Sequence, residues 1–294
     1  KQLFAQVTNP PLDAIREEII TSTRVYLGRE GNLLKPDESN CKRVELHYPI
    51  ISNEELYKIR NLKNFKVKEF SILFDYEKKT LEDALEELFK NVENEIEKGA
   101  SIIILSDIGV NEKQSYIPSF IAVAGLHNHL IRKNLRTHAS IIINTGEARE
   151  IHHFACLLGY GATVICPYLV YESINDLIRR EAIKLDYKKA EQNFIKASVA
   201  GIVKIASKMG VSTLQSYNGA QIFECLGLSK KLVDKYFSDT ITRIEGIDIE
   251  DINEELINLH KKTFASQVSA LEPKGIHGFR SGREEHIIDP LVIF

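Results

Sequence analysis

The sequence predicts an α/β domain, a barrel-like or incomplete (β/α) barrel with a non-barrel N-terminal arm. Three observations carry that expectation. From Lys68 onward, short β-branched runs alternate with longer helical patterns, the order that feeds a parallel sheet. The stretch after Thr80 places Leu81, Ala84, Leu85, Leu88, Val92 and Ile96 on one helical face, so at least one amphipathic helix separates the first two strands. The chain has 294 residues, 44% of them hydrophobic, enough for one large core or two modest ones.

In chain order, Phe70 to Phe74 is the first predicted strand. Thr80-Leu-Glu-Asp is a capping box that opens the helix after it, and Gly99 closes that helix. Ser101 to Leu105 is the second strand, and Ile117 to Asn134 its helix, entered through Pro118 near the first turn. Ala139 to Ile143 is the third strand, followed by a helix from Gly146 to Leu158. Ala162 to Ile165 is the fourth, ending before Pro167. Helical segments follow around Val170 to Ala182 and Tyr187 to Met209. Ser212 to Gln215 is then a short predicted strand leading into a helix over Gly219 to Leu226, a fifth βα unit. Ser229 to Phe237 and a further helix through Gln267 complete the ordered part, and the charged, glycine-containing tail reads as a linker.

The expected division is an arm over residues 1–67, a barrel-like unit over 68–272 and a linker over 273–294. In the arm, Asn9-Pro10-Pro11-Leu12-Asp13 is a turn or extended segment, with Asp13 placed to cap a short helix from Ala14 to Ile20. The arm is expected to wrap an edge of the barrel. No repeat of solenoid length and no low-complexity tract is visible.

Composition narrows the partners. With 38 basic and 41 acidic residues the net charge is -3, and the two signs are interleaved, which argues against a nucleic-acid partner. No apolar run approaches the roughly 20 residues that span a bilayer, so no membrane is expected. Cys41, Cys156, Cys166 and Cys225 are scattered, two of them inside apolar runs, as in a reducing, cytoplasmic setting. The opening Lys1-Gln-Leu-Phe lacks an initiator Met or a signal pattern and reads as the start of an excised piece of a longer polypeptide.

Chemistry-bearing patterns are few. His127-Asn128-His129 and His152-His153 are too closely spaced for one helix face, since paired helical ligands sit about three or four positions apart. They read as helix-surface or interdomain histidines. Gly159-Tyr160-Gly161 follows a helix and precedes a strand, so it is a helix C-cap and not a phosphate loop. The active face of a parallel barrel lies at the C-terminal strand ends, which would present Asp107, Asn144, Glu147 and Gln215-Ser216-Tyr217. First-turn carboxylates such as Glu147 also arise because they suit the helix dipole. No nucleophile elbow and no Walker loop is present.

Whole segments then resemble one family. Lys1-Gln-Leu-Phe-Ala-Gln-Val-Thr-Asn-Pro-Pro-Leu-Asp, Leu27-Gly-Arg-Glu-Gly-Asn, His127-Asn-His-Leu-Ile-Arg, Gly146-Glu-Ala-Arg-Glu-Ile-His-His and Met209-Gly-Val-Ser-Thr-Leu-Gln-Ser-Tyr-Asn-Gly-Ala-Gln resemble the central domain of the glutamate synthase large chain, from the first residue almost to Phe294. The family's large chain joins a glutaminase with a cysteine nucleophile, this central domain, an FMN and iron–sulfur barrel, and a C-terminal β-helix. The resemblance therefore implies a barrel-like fold related to FMN-linked oxidoreductase barrels, without a cofactor, a metal site or a catalytic residue of its own. FMN and a 3Fe-4S cluster belong to the neighbouring domain. The implied partners are the glutaminase and FMN domains of the same full-length chain and, through the whole enzyme, a small electron-transfer subunit or ferredoxin. The implied role is to connect those domains and help form the ammonia tunnel for glutamate synthesis from glutamine and 2-oxoglutarate. Thr8, Asn9 and Ile117 are the tunnel-lining residues it suggests, and Asn218 stands where relatives often carry a basic residue. A free-standing FMN-binding barrel oxidoreductase is the alternative that the βα repeat leaves open.

Overall fold

The structure, a computed structural model, describes residues 16–32, 34–265 and 278–283. The chain begins with helix α1 (Glu17–Ile20), strands β1 (Val25–Leu27) and β2 (Val44–Leu46), and helix α2 (Asn53–Arg60). It continues through β3 (Val67–Ser71), β4 (Leu73–Asp75), α3 (Leu81–Glu97), β5 (Ile102–Ser106), β6 (Gln114–Tyr116) and α4 (Ser119–Arg132). Next come β7 (Ser140–Asn144), α5 (Ile151–Gly159), β8 (Val164–Cys166), α6 (Tyr168–Arg179) and the long α7 (Tyr187–Lys208). The last elements are α8 (Leu214–Tyr217), β9 (Glu224–Leu228), α9 (Lys230–Tyr236), β10 (Ile241–Ile247) and α10 (Ile249–Ala265).

Strands β3, β5, β7 and β8 form one parallel sheet in chain order. Every residue of β5, β7 and β8 is buried, which is why these strands are nearly all Ile, Leu and Val instead of alternating with polar residues. Helix α4 packs on both α3 and α5, so successive helices share one face, as right-handed crossovers between sequential strands require. Among the described residues the sheet is open. One edge is β3; beside β8, Ile50 makes a single parallel bridge to Ile165, with the Ile165 N–H donating to Pro49 O at 2.8 Å and the Ile51 N–H to Ile165 O at 3.0 Å.

The first amphipathic helix forms where its sequence dictates. The Thr80 hydroxyl accepts the Asp83 N–H while the Asp83 carboxylate accepts the Thr80 N–H, and the predicted apolar stripe, with Phe89 added, is buried. Gly161 ends α5 in a left-handed turn (φ 112°): its N–H donates to Leu158 O, and the Ala162 N–H reaches Leu157 O at 2.9 Å. That is the helix cap expected of Gly159-Tyr160-Gly161.

Several expectations need correction. The strand over Phe70 to Phe74 is two strands: Ile72 donates to Ser106 O and accepts from the Ile117 N–H, and this turns the chain out of the parallel sheet into an antiparallel pairing of β4 with β6. The helix expected from Gly146 starts at Ile151; before it, the Gly146 and Glu147 N–H groups donate to the Asp107 and Thr145 side chains in a loop. The fifth βα unit is inverted. Thr213 caps a single helical turn through the Ser216 N–H, leaving one isolated bridge to Ser22, while β9 starts inside the segment expected to be helical and runs past its end. Residues Cys225, Leu226 and Leu228 read as well as a strand as they do as a helix; their parallel pairing with β10 decides it. In the arm, the helix is described only from Glu17, and Asp13 lies outside the described residues.

Candidate functional site

The C-terminal ends of β5 and β7 carry a buried polar network. Asp107 follows β5 and Thr145 follows β7, and the register pairing Ser106 with Asn144 sets the two loops side by side. The Thr145 hydroxyl donates to Asp107 Oδ2 at 2.6 Å, and the Gly146 N–H donates to the same carboxylate at 3.0 Å. Ser119 Oγ, at the start of α4, lies 2.6 Å from Thr145 Oγ1, and the Ser119 N–H donates to Glu147 Oε2 at 2.5 Å. Two carboxylates are thus joined through two hydroxyls, each carboxylate receiving the exposed N–H of a neighbouring segment, as the positive end of a helix favours.

Burial sets the electrostatics of this network. It pushes the Asp107 carboxyl above its ordinary range against the opposing hydrogen bonds from Thr145, Gly146 and Tyr168. Burial likewise raises Glu147, the Ser119 contacts acting against it and the Asp107 charge adding to it. Tyr116 is pushed up to about 12 by burial, with the Glu147 and Asp107 charges reinforcing the shift, and Tyr168 rises through burial and its contact with Asp107. The Tyr116 and Tyr168 phenols therefore stay protonated and serve as donors.

Above Glu147 opens a cleft of about 580 Å³ walled by Tyr116, Pro118, Ser119, Arg149, His152 and Cys156, among others. Cys156 Sγ sits 3.6 Å from His152 Nε2, but burial holds the thiol up near about 11, so the pair does not supply a thiolate. A phosphate does not fit these strand ends: the one glycine amide between β7 and α5 is taken by Asp107, and two carboxylates face the position an anion would occupy.

The expected site residues separate into two groups. Asp107, Asn144 and Glu147 lie at the C-terminal strand ends as expected, Asn144 Nδ2 donating to Ser106 Oγ at 3.0 Å. Gln215-Ser216-Tyr217 do not. They belong to α8, whose neighbours His127, Arg136 and Asn218 sit at the opposite, N-terminal end of the strands, and Tyr217 is buried with its hydroxyl donating to Ala155 O. Ile117 is buried between Tyr116 and Pro118, both of which line the cleft. Thr8 and Asn9 lie outside the described residues.

The histidines also need correction. His127 and Asn128 are buried, not on a helix surface. Asn128 Nδ2 donates to Ala124 O and Tyr236 O, and His129 Nε2 is 2.7 Å from Glu93. His127 Nδ1 accepts from Arg136 Nε at 2.8 Å, while the two terminal nitrogens of Arg136 donate to Ala139 O and Gly161 O. Burial, with the Arg136 charge beside it, pushes the His127 imidazole down to about 3, so it is neutral. The His127 ring lies against Gly161 and Gly219, both at positive φ, where any Cβ would run into the ring. Asn218 Nδ2 donates to Ala162 O, so this position is occupied with contacts inside the chain. Among the described residues, no group of three or more His, Cys, Asp and Glu has ligand-like geometry, and no helix is long and apolar enough to cross a membrane.

Ser119, Thr145, Tyr116, Tyr168 and Arg136 complete these two networks and carry no motif. The available signal for Thr145 is a hydroxyl residue two positions after an apolar run, and for Ser119 one directly after a proline, both common helix-entry patterns.

Comparison with known proteins decides the family. A family model described as the glutamate synthase central domain matches residues 1–229. The chain belongs to the glutamate synthase central-domain family. Across its full length it is 45% identical to the NADPH glutamate synthase large chain of Bacillus subtilis (strain 168), covering 19% of that protein. It is 39% identical to the ferredoxin-dependent glutamate synthase 2 of Synechocystis over 99% of the chain and 20% of the relative, and 37% identical to the NADH glutamate synthase of Schizosaccharomyces pombe over 100% and 14%. The chain thus spans a fifth or less of the length of these relatives. The flavin-binding domain of baker's yeast flavocytochrome b2 overlaps 44% of this chain and 31% of its own at 17% identity, with a TM-score of 0.36. Two segments that carry the family resemblance fall at opposite ends of the sheet: 146–153 builds the carboxylate network, and 209–221 supplies α8 and Gly219 against His127.

Proposed function

We propose that this chain is the non-catalytic central part of a glutamate synthase, joining a glutaminase domain to an FMN-binding domain and forming part of the wall along which ammonia passes between them. The full enzyme would make glutamate from glutamine and 2-oxoglutarate in the cytoplasm. FMN and a 3Fe-4S cluster would sit in the neighbouring domain, with electrons arriving through a small subunit or ferredoxin. Residues 68–272 would be an incomplete barrel related to FMN-linked barrels, 1–67 its arm and 273–294 the linker toward the flavin domain.

The observation that carries this reading is how the polar strand ends are used. Asp107 and Glu147 spend their acceptor capacity on the chain's own N–H and O–H groups, an arrangement that holds loops in place and takes up the one glycine amide between β7 and α5 that a flavin phosphate would use. This favours the structural reading over a free-standing FMN enzyme. Beside it, Ile117 is a buried aliphatic flanked by the cleft-lining Tyr116 and Pro118. Water-excluding apolar surface with a few oxygen acceptors nearby is what a conduit for neutral ammonia needs. Thr8 and Asn9 join Ile117 as the proposed wall.

The test is a bulky substitution, Thr8→Phe, in the full-length enzyme, comparing glutamate formation driven by glutamine with that driven by added ammonium. A selective loss of the glutamine-driven rate is expected. Equal loss of both rates, or loss of neither, overturns the conduit.

A further inference from the structure

The ribbon of β9 and β10 exposes an aliphatic face that its own bulges create. In an undistorted strand, Ile241, Ile244 and Ile247, spaced three apart, would point to alternating sides. Two register shifts in β10 instead set Ile241 opposite Glu224, Ile244 opposite Leu226 and Ile247 opposite Leu228. Glu224, Leu226 and Leu228 alternate on β9 and so share a face, and the three isoleucines join it. Cys225, pointing the other way, packs against the core, and so does Leu228 at the end of β9, which leaves Leu226 as the exposed aliphatic of this strand. On the shared face Leu226 is 67% exposed, Ile241 57%, Ile244 61% and Ile247 38%. A two-stranded parallel ribbon is among the least self-sufficient of β-structures, and large aliphatics facing water on it need a cover.

We propose that this face is the docking surface for another domain of the same longer polypeptide, which lays an aliphatic surface across Leu226, Ile241, Ile244 and Ile247. Two observations select that occupant. Four side chains at these exposures offer on the order of 400 Å², about half of the roughly 800 Å² per partner that a stable encounter between separate molecules requires, which disfavours a second copy. A tethered domain needs far less area, because linkage supplies an effective concentration on the order of millimolar. Such domains are present in the family, since this region accounts for 14% to 20% of the relatives' length. The Arg243–Glu224 ion pair at 2.8 Å lies on the ribbon beside the patch, in keeping with an apolar centre and a polar rim. The proposal depends on the chain being part of a larger protein and is independent of any ammonia conduit.

Hydroxyl-radical footprinting of the full-length protein tests it, each peptide normalised to the same peptide in the unfolded protein. Leu226, Ile241 and Ile244 are expected to react about tenfold more slowly than when unfolded, as in a water-excluding interface core, and equally so on dilution. Ile244→Lys should restore the reactivity of Leu226, while Leu259→Lys on the exposed side of α10 should leave it protected. Reactivity of the three residues near the unfolded level overturns the proposal. So does protection that disappears on dilution, which would assign the face to a second copy.

Discussion

The two ends of the central sheet solve the same problem with opposite charges. At the C-terminal end, where helices begin, carboxylates of Asp107 and Glu147 collect the N–H groups of Gly146 and Ser119. At the N-terminal end, where helices finish, the Arg136 guanidinium collects the carbonyls of Ala139 and Gly161. The Ser119 contact, at the start of α4, and the Gly161 contact, just past the end of α5, also suit the helix dipole. Both ends border a cleft, of about 580 Å³ and about 530 Å³, and the difference lies in how the polar groups are shared: two carboxylates divide their donors at one end, whereas at the other a single guanidinium serves two carbonyls and an imidazole wedged between two glycines. The end that hangs on one side chain should therefore be the more costly to disturb.

Arg136→Met is the sharpest test, since it leaves two carbonyls and His127 Nδ1 without their donor. A loss of about 4 kcal/mol is expected, read from the midpoint of urea unfolding at constant slope. A loss under about 1 kcal/mol would mean that water from the adjoining cleft replaces the guanidinium without penalty.

Next comes acid sensitivity. Folded His127 is held near about 3 against an ordinary value of 6.5, so the unfolded chain binds a proton across that window and the folded chain does not. The stability this histidine supports is complete above pH 6.5 and is lost as pH falls toward 3, amounting to a few kcal/mol. His127→Gln keeps an acceptor for Arg136 and cannot titrate, so its stability should fall less steeply between pH 6.5 and pH 4. Parallel profiles for the two proteins would contradict a buried neutral imidazole.

Asp107→Asn probes the carboxylate end. The amide keeps one acceptor oxygen but sets an NH2 group against a donor, at an expected cost of about 2 kcal/mol, less than Arg136→Met because one contact is mismatched instead of three acceptors losing their donor. A larger cost than that of Arg136→Met would reverse the contrast between the two ends. The smallest effect belongs to a surface pair: Lys58→Ala removes a 2.8 Å contact to Glu54 between two exposed side chains and should leave the unfolding midpoint unchanged.

Legibility in the sequence followed the range of the interactions. Helix α3 could be read because its cap and its stripe lie within a single helix, and β5 and β7 because full burial on both faces leaves an uninterrupted apolar run. Asp107, Asn144 and Glu147 could be located because the end of a strand is a position in the sequence. Their partners could not: Ser119 meets Thr145 across 26 residues, and Arg136 meets Gly161 across 25, distances over which only the folded sheet brings groups together. The start of β9 was read as helix for a related reason. Nothing local marks Cys225, Leu226 and Leu228 as a strand, and only their pairing with β10 makes them one.

The segment after residue 229 has a practical consequence for anyone cutting this protein. Asn128 and Arg132 of α4 bond to the carbonyls of Tyr236 and Lys235, Lys235 reaches Glu82 and Glu86 of α3, and the Leu81 N–H donates to Asn253. The family model ends at 229, yet these later residues form the outer layer over α3 and α4. A truncation placed at that boundary would strip Phe89 and Asn128 of their cover and yield an insoluble fragment; a boundary beyond Ala265 keeps these contacts.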